Sequence, residues 1–174
     1  MILIVSASLS PDSNSRLLAR EAARILEGDG VATTFLDLRD YPLPLCDGGA
    51  AYGHPNVAVV RNLIAEADAV IVATPIYNYD GNAALKNLVE LTGRAWENKV
   101  VAFLCAAGGT ASYMSVMSFA NSLMLDFRCL IVPRFVYSTS EAFSEGRITD
   151  EDQLRRVAEL ARATVRLTAL PPAA

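Results

Sequence analysis

The stretch of sequence that decides the fold is the amino-terminal run Ile2-Leu3-Ile4-Val5-Ser6-Ala7-Ser8-Leu9-Ser10-Pro11-Asp12-Ser13-Asn14-Ser15-Arg16. Its first four residues are apolar and mostly β-branched, which is typical of a strand buried on both faces of a parallel sheet. The polar remainder is followed by apolar residues at helical spacing, namely Leu17, Leu18, Ala22, Ile25 and Leu26. The run therefore predicts a strand, a polar loop and a helix, the opening unit of an α/β fold.

The same alternation continues along the chain. Short β-rich apolar runs recur at residues 33–38, 69–74, 100–105 and 130–136, and segments with helical spacing separate them. The last helix is predicted over about residues 150–167, with Thr149 as its N-cap. Five strands that alternate with five helices predict an α/β sandwich of three layers, in which a five-stranded parallel sheet of order 2-1-3-4-5 has helices on both faces.

Length and composition predict one domain of ordinary size. The 174 residues include 15 Lys and Arg against 19 Asp and Glu, a net charge of −4, and 52% of them are hydrophobic. A chain this apolar and weakly charged is not disordered, and the lack of a basic excess argues against electrostatic binding of nucleic acid. No linker divides the sequence, so we expect a domain over residues 1–170 and a disordered Pro-Pro-Ala-Ala tail over 171–174.

Three features predict a cytoplasmic protein that does not enter a membrane. No apolar run approaches the roughly 18 residues that span a bilayer, and no cleavable leader precedes the first strand. The cysteines Cys46, Cys105 and Cys129 are odd in number and widely spaced, which favours reduced thiols over a disulfide framework or a zinc site.

The basic residues are nearly all arginine, with 13 Arg and only two Lys. Arginine favours planar, bidentate contacts with carboxylates and phosphates, although codon usage alone would produce the same bias. Four of the arginines, Arg155, Arg156, Arg162 and Arg166, are predicted to form the solvated face of the last helix.

The loop after the first strand concentrates hydrogen-bonding side chains at a predicted helix start. Five serines and one asparagine fall between residues 6 and 15. Unpaired N–H groups and the positive end of a helix dipole capture phosphate, so the loop is a candidate anion site with Arg16 as an additional ligand. A solvated, well-capped turn uses the same residue types, and this alternative stays open. The glycine patterns of dinucleotide-binding and Walker A loops are absent.

Two further loops are predicted to meet the first at one sheet edge. After the third strand the sequence reads Thr74-Pro75-Ile76-Tyr77-Asn78-Tyr79-Asp80-Gly81-Asn82, in which Gly81 permits an unusual backbone angle. After the fourth strand it reads Cys105-Ala106-Ala107-Gly108-Gly109-Thr110. Exposed tyrosines suit a flat ligand, and glycines let backbone amides approach one, although plain turns would use both. Ligands of parallel sheets bind outside the carboxyl ends of the strands, so this edge is the predicted site.

At these residues the chain resembles the NAD(P)H-dependent FMN reductases, a family of flavodoxin-like proteins. The resemblance is carried by the serine loop at residues 8–15, by the segments 38–45 and 73–78, by Leu85-Lys86-Asn87 and by Gly108-Gly109-Thr110. It implies a flavodoxin-like fold and FMN and NAD(P)H as cofactors. The sequence differs from many members of the family at Ala7, where glycine is common, and at Asp80, which would place a negative charge near the flavin rim.

The resemblance also implies roles for individual residues. The FMN phosphate would be held by Ser8, Ser10, Ser13, Asn14 and Ser15. The isoalloxazine ring would be lined by Pro75, Ile76, Tyr77 and Asn78, and its polar edge would face Gly108, Gly109 and Thr110. Such proteins are typically homodimers or homotetramers, and the loop at residues 41–45 commonly approaches the flavin pocket or a partner subunit.

The implied reaction is hydride transfer from NAD(P)H to N5 of FMN. Because the cofactor carries this chemistry, we expect no catalytic nucleophile, no obligatory acid–base pair and no metal. The reduced flavin would pass to a partner monooxygenase or reduce a small acceptor such as a quinone, an azo compound or a metal ion. The alternative is a flavodoxin-type electron carrier without reductase activity, which the modest charge of −4 disfavours.

Overall fold

A parallel sheet at the centre of the molecule follows the predicted order. The computed structural model describes residues 1–169, so the predicted tail at 171–174 lies outside the described residues. The strands β1 (Ile2–Ser6), β2 (Thr33–Asp37), β3 (Ala69–Tyr77), β4 (Asp80–Gly81) and β5 (Val100–Ala107) come first in the chain. They are followed by β6 (Leu130–Ile131), β7 (Val136–Thr139), β8 (Phe143–Ser144) and β9 (Arg147–Ile148). The path β2-β1-β3-β5-β6 is parallel throughout, which confirms the α/β class.

In the part of the chain that the structure describes, five α-helices cover the sheet. Their bounds are α1 Asn14–Gly28, α2 Pro55–Glu66, α3 Ala83–Thr92, α4 Val116–Phe127 and α5 Glu151–Thr168, and three short 3₁₀ helices occupy Ala50–Gly53, Gly93–Trp96 and Ser140–Ala142. Alternate residues of β1 face opposite layers: Ile2 and Ile4 pack with apolar residues of α1 and α5, whereas Leu3 and Val5 pack with those of α2, α3 and α4. The two apolar clusters make the sheet the middle of three layers.

The fifth strand differs from the prediction. A continuous strand was expected over residues 130–136, but β6 and β7 are separate segments that both pair in parallel with β5. Pro133 has no N–H to donate to the ladder, and Arg134 has a φ of +59°, so the chain leaves β5 between the two segments. The main path of the sheet keeps the order 2-1-3-4-5, but the predicted count of five strands is wrong. Within residues 1–169 the sheet has seven strands, because the fifth strand is split and β4 pairs antiparallel with β3.

The start of the last helix also differs from the prediction. Asp150, not Thr149, is the N-cap of α5, because its Oδ1 accepts hydrogen bonds from the N–H groups of Asp152 at 2.8 Å and Gln153 at 3.1 Å. The Thr149 hydroxyl instead donates to the carbonyl of Ala142 at 3.3 Å. Thr149 therefore closes the short β8–β9 hairpin against the preceding 3₁₀ helix.

Two further observations concern the cysteines and the helices of the described residues. All three cysteines are unpaired, and burial raises the pKa of the Cys129 thiol to about 11. None of the helices within residues 1–169 is both long enough and apolar enough to cross a membrane.

Replacing the two candidate caps of α5 tests the assignment. We expect Asp150→Ala to lower the free energy of unfolding by about 1 kcal/mol, because it leaves two helix N–H groups without their acceptor. Thr149→Ala is the matched control and should cost clearly less in urea unfolding followed by circular dichroism. A larger loss in Thr149→Ala than in Asp150→Ala would contradict the assignment.

Candidate functional site

The three predicted loops meet in one cleft at the carboxyl edge of the sheet. The cleft has a volume of about 220 Å³. Its lining consists of Ser8, Ser10, Asp12, Ser13, Asn14, Ser15, Pro75, Ile76, Tyr77, Ala106, Ala107, Gly108 and Ser140. The strands β1, β3 and β5 are neighbours in the sheet, so their following loops necessarily open at the same edge.

The floor of this cleft is the amino end of α1. Ser13 is the N-cap: its side chain accepts from the N–H of Arg16 at 3.3 Å, and its carbonyl accepts from the N–H of Leu17 at 3.3 Å. The first four N–H groups of a helix have no partner inside the helix. Those of Asn14 and Ser15 therefore remain as donors for a ligand at the positive end of the helix dipole.

Arg16 does not point into the cleft as an additional anion ligand, which corrects the prediction. Its side chain is only 5% exposed, and its guanidinium donates to three loop carbonyls. The distances are 2.8 Å to Ser8, 2.8 Å to Ser10 and 3.1 Å to Pro11. Its Nε donates to the Asp37 carboxylate at 2.8 Å. Arg16 thus holds the serine loop in shape from behind.

Asp37, at the end of β2, completes this support. Its carboxylate also accepts from the Arg39 guanidinium at 2.8 Å and from the Arg39 backbone N–H at 3.1 Å. Burial by itself would raise the pKa of this carboxyl, but the hydrogen bonds from Arg39 and Arg16 outweigh burial and lower the pKa below its ordinary value. Asp37 therefore stays charged opposite the buried guanidinium at neutral pH.

The loop after β3 is a tight hairpin. Tyr77 pairs with Asp80, and the two residues between them, Asn78 and Tyr79, have φ values of +51° and +64°. Left-handed conformations at both central positions are characteristic of a two-residue type I′ turn. The unusual backbone angles therefore lie at Asn78 and Tyr79, and not at Gly81 as predicted.

Asn82 ties this hairpin to the serine loop. Its side-chain amide donates to the carbonyl of Ala7 at 2.8 Å, and its oxygen accepts from the N–H of Leu85 at 3.2 Å as the cap of α3. Its own N–H donates to the hydroxyl of Thr74 at 3.3 Å. One buried side chain therefore sets the position of two loops and one helix. The sequence signal for Asn82 was its place just before α3, where asparagine is a preferred N-cap.

The loop after β5 is fastened from the edge strand. The Tyr137 hydroxyl contacts the Gly109 carbonyl at 2.5 Å and the Ser112 hydroxyl at 2.7 Å. A Cβ atom added at Gly108 or Gly109 would meet nothing within 4 Å, so packing within the protein does not require glycine there. The two glycines leave open space at the edge of the cleft.

Nine of the twelve predicted site residues line the cleft. The three that do not are Asn78, which lies at the tip of the hairpin, Gly109, and Thr110, which lines a neighbouring cleft with Tyr113 and Tyr137. The structure adds Asp12, Ala106, Ala107 and Ser140 to the lining. Three of these residues, Asp12, Ala106 and Ala107, fall inside the loops quoted from the sequence. Ser140 follows the edge strand β7, whose bounds were predicted wrongly.

The donors in the cleft fit a phosphate group. They are backbone N–H groups and neutral hydroxyls at a helix start, which is the chemistry by which proteins hold phosphate without a basic side chain. Within residues 1–169, no group of three or more His, Cys, Asp or Glu side chains is placed to hold a metal ion.

Comparison with known proteins identifies the class to which this fold and site belong. Residues 1–144 match the family model described as NADPH-dependent FMN reductase. The chain therefore belongs to the NADPH-dependent FMN reductase family of oxidoreductases, whose cofactors are FMN and NADPH.

Individual relatives agree with this assignment. The chain is 31% identical over 136 residues to an NAD(P)H-dependent FAD/FMN reductase of Geobacillus thermodenitrificans, covering 76% of this chain and 73% of that protein. It is 33% identical over 122 residues to an FMN reductase (NADPH) of Pseudomonas putida, covering 68% and 61%. In structure it resembles the flavoenzyme FerB of Paracoccus denitrificans, with a TM-score of 0.78, 22% identity and 96% of each chain covered.

The buried ion pair gives a prediction for ligand binding. Arg16→Lys keeps the positive charge but cannot reach three carbonyls and a carboxylate at once. We expect at least about tenfold weaker binding of FMN, because each lost bond to a charged group is worth about 1.5–3 kcal/mol and the loop loses its shape. Fluorescence titration with FMN measures the change.

The matched control for this experiment is Arg24→Lys. Arg24 lies on the same helix and is paired with Glu21 on the surface, so its replacement should leave the affinity for FMN unchanged. Equal affinities in Arg16→Lys and the unaltered chain would show that the serine loop keeps its shape without the guanidinium.

Proposed function

We propose that this chain binds FMN in the cleft at the sheet edge and reduces it with NAD(P)H. The observation that carries the proposal is the convergence of three loops over the amino end of α1, where N–H donors lack partners inside the helix. Family membership makes FMN the ligand to expect in that position.

The phosphate would lie at the start of α1. We assign its binding to the N–H groups of the first helical turn and to the side chains of Ser8, Ser10, Ser13, Asn14 and Ser15. All four serines also form hydrogen bonds within the loop. The Ser8 side chain accepts from the N–H of Ser10 at 3.3 Å, and the Ser10 hydroxyl donates to the Asp12 carbonyl at 3.2 Å. Ser13 caps the helix, and its hydroxyl lies 3.0 Å from that of Ser15. Among residues 1–169, Asp12 is the one carboxylate in the lining, so the N–H and hydroxyl donors must outweigh its repulsion of a phosphate.

The isoalloxazine ring would lie over the rim of the cleft. A volume of about 220 Å³ is smaller than the 300–1,000 Å³ typical of pockets that enclose a ligand. We therefore assign only the phosphate and the ribityl chain to its interior. The ring would rest against Pro75, Ile76, Tyr77 and Asn78. Its polar edge would face the open space left by Gly108 and Gly109, next to Thr110.

The protein's part in the reaction is to bind and orient. FMN, when bound, supplies the N5 atom that accepts a hydride from C4 of the nicotinamide. Tyr77 is 56% exposed, so the surface of the hairpin beside the proposed flavin ring is open to the nicotinamide ring. Holding two rings in a stacked arrangement is the main contribution that the fold makes to the rate.

The final acceptor is a separate part of the proposal. Because the ring would lie on an open rim, its reduced form could meet either a small oxidant or a second protein. We propose a small acceptor such as a quinone, an azo compound or a metal ion, or transfer of the reduced flavin to a monooxygenase. A cytoplasmic location is also proposed, since all three cysteines in the described chain are unpaired, and cell fractionation would test it.

Binding of two flavins tests the phosphate site. FMN and riboflavin differ only in the phosphate, so we expect FMN to bind at least about 100-fold more tightly, as two or three charge-assisted hydrogen bonds would require. Ser10→Ala should weaken FMN about tenfold and leave riboflavin unchanged. The control is Ser122→Ala on α4, outside the cleft, which should change neither affinity.

The same samples test the reductase activity. Anaerobic addition of NADPH or NADH to the FMN-loaded chain should bleach the visible absorption of the flavin. Equal affinities for FMN and riboflavin would contradict the phosphate site. An FMN-loaded chain that neither nicotinamide bleaches would instead be an electron carrier.

We further propose that the chain forms a homodimer or homotetramer through an apolar groove beside the serine loop. The groove has a volume of about 590 Å³ and lies between the loop at residues 41–45 and the first turns of α3. Its lining is Leu9, Leu38, Arg39, Tyr41, Pro42, Leu43, Leu45, Ala83, Ala84 and Asn87. Leu45 is 81% exposed, and contiguous exposed apolar surface typically marks a protein interface.

Sedimentation analysis tests the interface. Leu45→Glu should shift the chain toward monomer, because a carboxylate placed between two apolar surfaces loses its hydration. The matched control is Leu125→Glu on α4, where the leucine is similarly exposed at 77% but lies outside the groove. Loss of the oligomer in Leu125→Glu and not in Leu45→Glu would move the interface to α4.

A further inference from the structure

A second cleft, larger than the one at the sheet edge, lies beside the interrupted edge strand. It has a volume of about 580 Å³ and lies between the segment at residues 133–135 and one face of α5. Its lining is Tyr113, Pro133, Arg134, Phe135, Arg155, Arg156, Glu159, Leu160, Ala163 and Arg166. We call it the arginine cleft.

The break in the edge strand creates this cleft. Pro133 cannot donate to β5, and Arg134 adopts a left-handed conformation, with φ of +59°, that is uncommon for a residue with a side chain. Phe135 then packs against Tyr113, with ring centroids 5.2 Å apart and planes inclined by 31°. The result is an aromatic wall opposite the charged face of α5.

The charges in the cleft leave a positive surplus. Arg155 is paired with both Asp152 and Glu159, and Arg156 uses only its Nε, at 2.6 Å from Asp152. Four arginines therefore face two carboxylates. Within residues 1–169, the side chains of Arg134 and Arg166 have neither an acidic partner within 4 Å nor a hydrogen-bond acceptor. As far as this part of the chain is concerned, the donors of both guanidinium groups are available to a ligand in the cleft that they line.

We propose that the arginine cleft binds a nucleotide monophosphate. Guanidinium groups match phosphate oxygens in a planar, bidentate fashion, and Arg134, Arg156 and Arg166 have donors available for this. Tyr113 is 46% exposed, which leaves ring surface for a flat base to stack on. A volume of about 580 Å³ lies within the range for small-molecule sites and exceeds what phosphate alone would need.

The proposed site is separate from the flavin cleft. The two share no lining residue. The neighbouring cleft described above, which contains Thr110, Glu141 and Asp150, lies between the arginine cleft and the loop after β5. Carboxylates along that path would repel a phosphate that bridged the two sites. The nucleotide is therefore a second ligand and not the dinucleotide that reduces the flavin.

Titration of the FMN-saturated chain with 5′-AMP tests this proposal, since FMN blocks the phosphate site at α1. We expect saturable binding of one AMP per chain that weakens with added salt. Adenosine and inorganic phosphate should each bind at least about tenfold more weakly, because adenosine lacks the phosphate and inorganic phosphate lacks the base. Isothermal titration calorimetry measures all three.

Substitutions locate the binding. The double variant Arg134→Gln and Arg166→Gln should weaken AMP at least about tenfold, and Tyr113→Ala should weaken both AMP and adenosine. The control is Arg94→Gln, whose arginine is exposed and paired with Glu97 far along the chain from the cleft. Circular dichroism confirms that each variant is folded.

Several outcomes would overturn the proposal: no AMP binding, phosphate bound as tightly as AMP, or equal loss in Arg94→Gln. AMP that competes with FMN would also overturn it, since the nucleotide would then occupy the flavin cleft. FMN titration and bleaching by NADPH are measured separately in each variant. Failure of the second site and failure of the reductase function are therefore distinguishable.

Discussion

The buried contact between Arg16 and Asp37 is the constraint on which the candidate flavin site depends. A loop that presents its amides outward to a ligand leaves several of its carbonyls pointing inward, where they need donors. One guanidinium satisfies three of them, and the Asp37 carboxylate balances its charge. A buried ion pair is costly unless its geometry is good and further hydrogen bonds use its donors, and here four of the five guanidinium N–H groups have partners. The amino end of α1 therefore stays open without any basic side chain in the cleft.

This arrangement explains how an acidic chain can offer a candidate anion site. Arginine acts behind the serine loop at residue 16, where it shapes the backbone. At the interrupted edge strand, Arg134 and Arg166 have no partner for their guanidinium donors among residues 1–169. The two settings differ in burial: Arg16 is enclosed, whereas the arginines of α5 are about half exposed. The 13 arginines of the chain therefore do not act as one class, and the net charge of −4 says little about where anions bind.

Most of the fold was predictable because hydrophobic periodicity is a local signal. The strands at 2–6, 33–38, 69–74 and 100–105 and the last helix followed from it to within a few residues. The exceptions have physical reasons. Pro133 and Arg134 break a run that hydropathy reads as continuous, and Asp150 rather than Thr149 caps α5 because tertiary contacts draw the Thr149 hydroxyl to Ala142. Nine of the twelve predicted site residues line the cleft, since parallel strands bring their loops to one edge.

The sequence by itself determined the layers, the main strand order and the edge at which the candidate site lies, because apolar spacing and the right-handed connection of parallel strands leave few other arrangements. Only the tertiary structure decided what individual polar side chains do. Arg16 and Asp37 are 21 residues apart, and Asn82 bonds a carbonyl 75 residues away, so no local pattern indicates either contact. Whether an arginine faces a ligand, a carboxylate or the backbone depends on partners that the chain brings together only on folding.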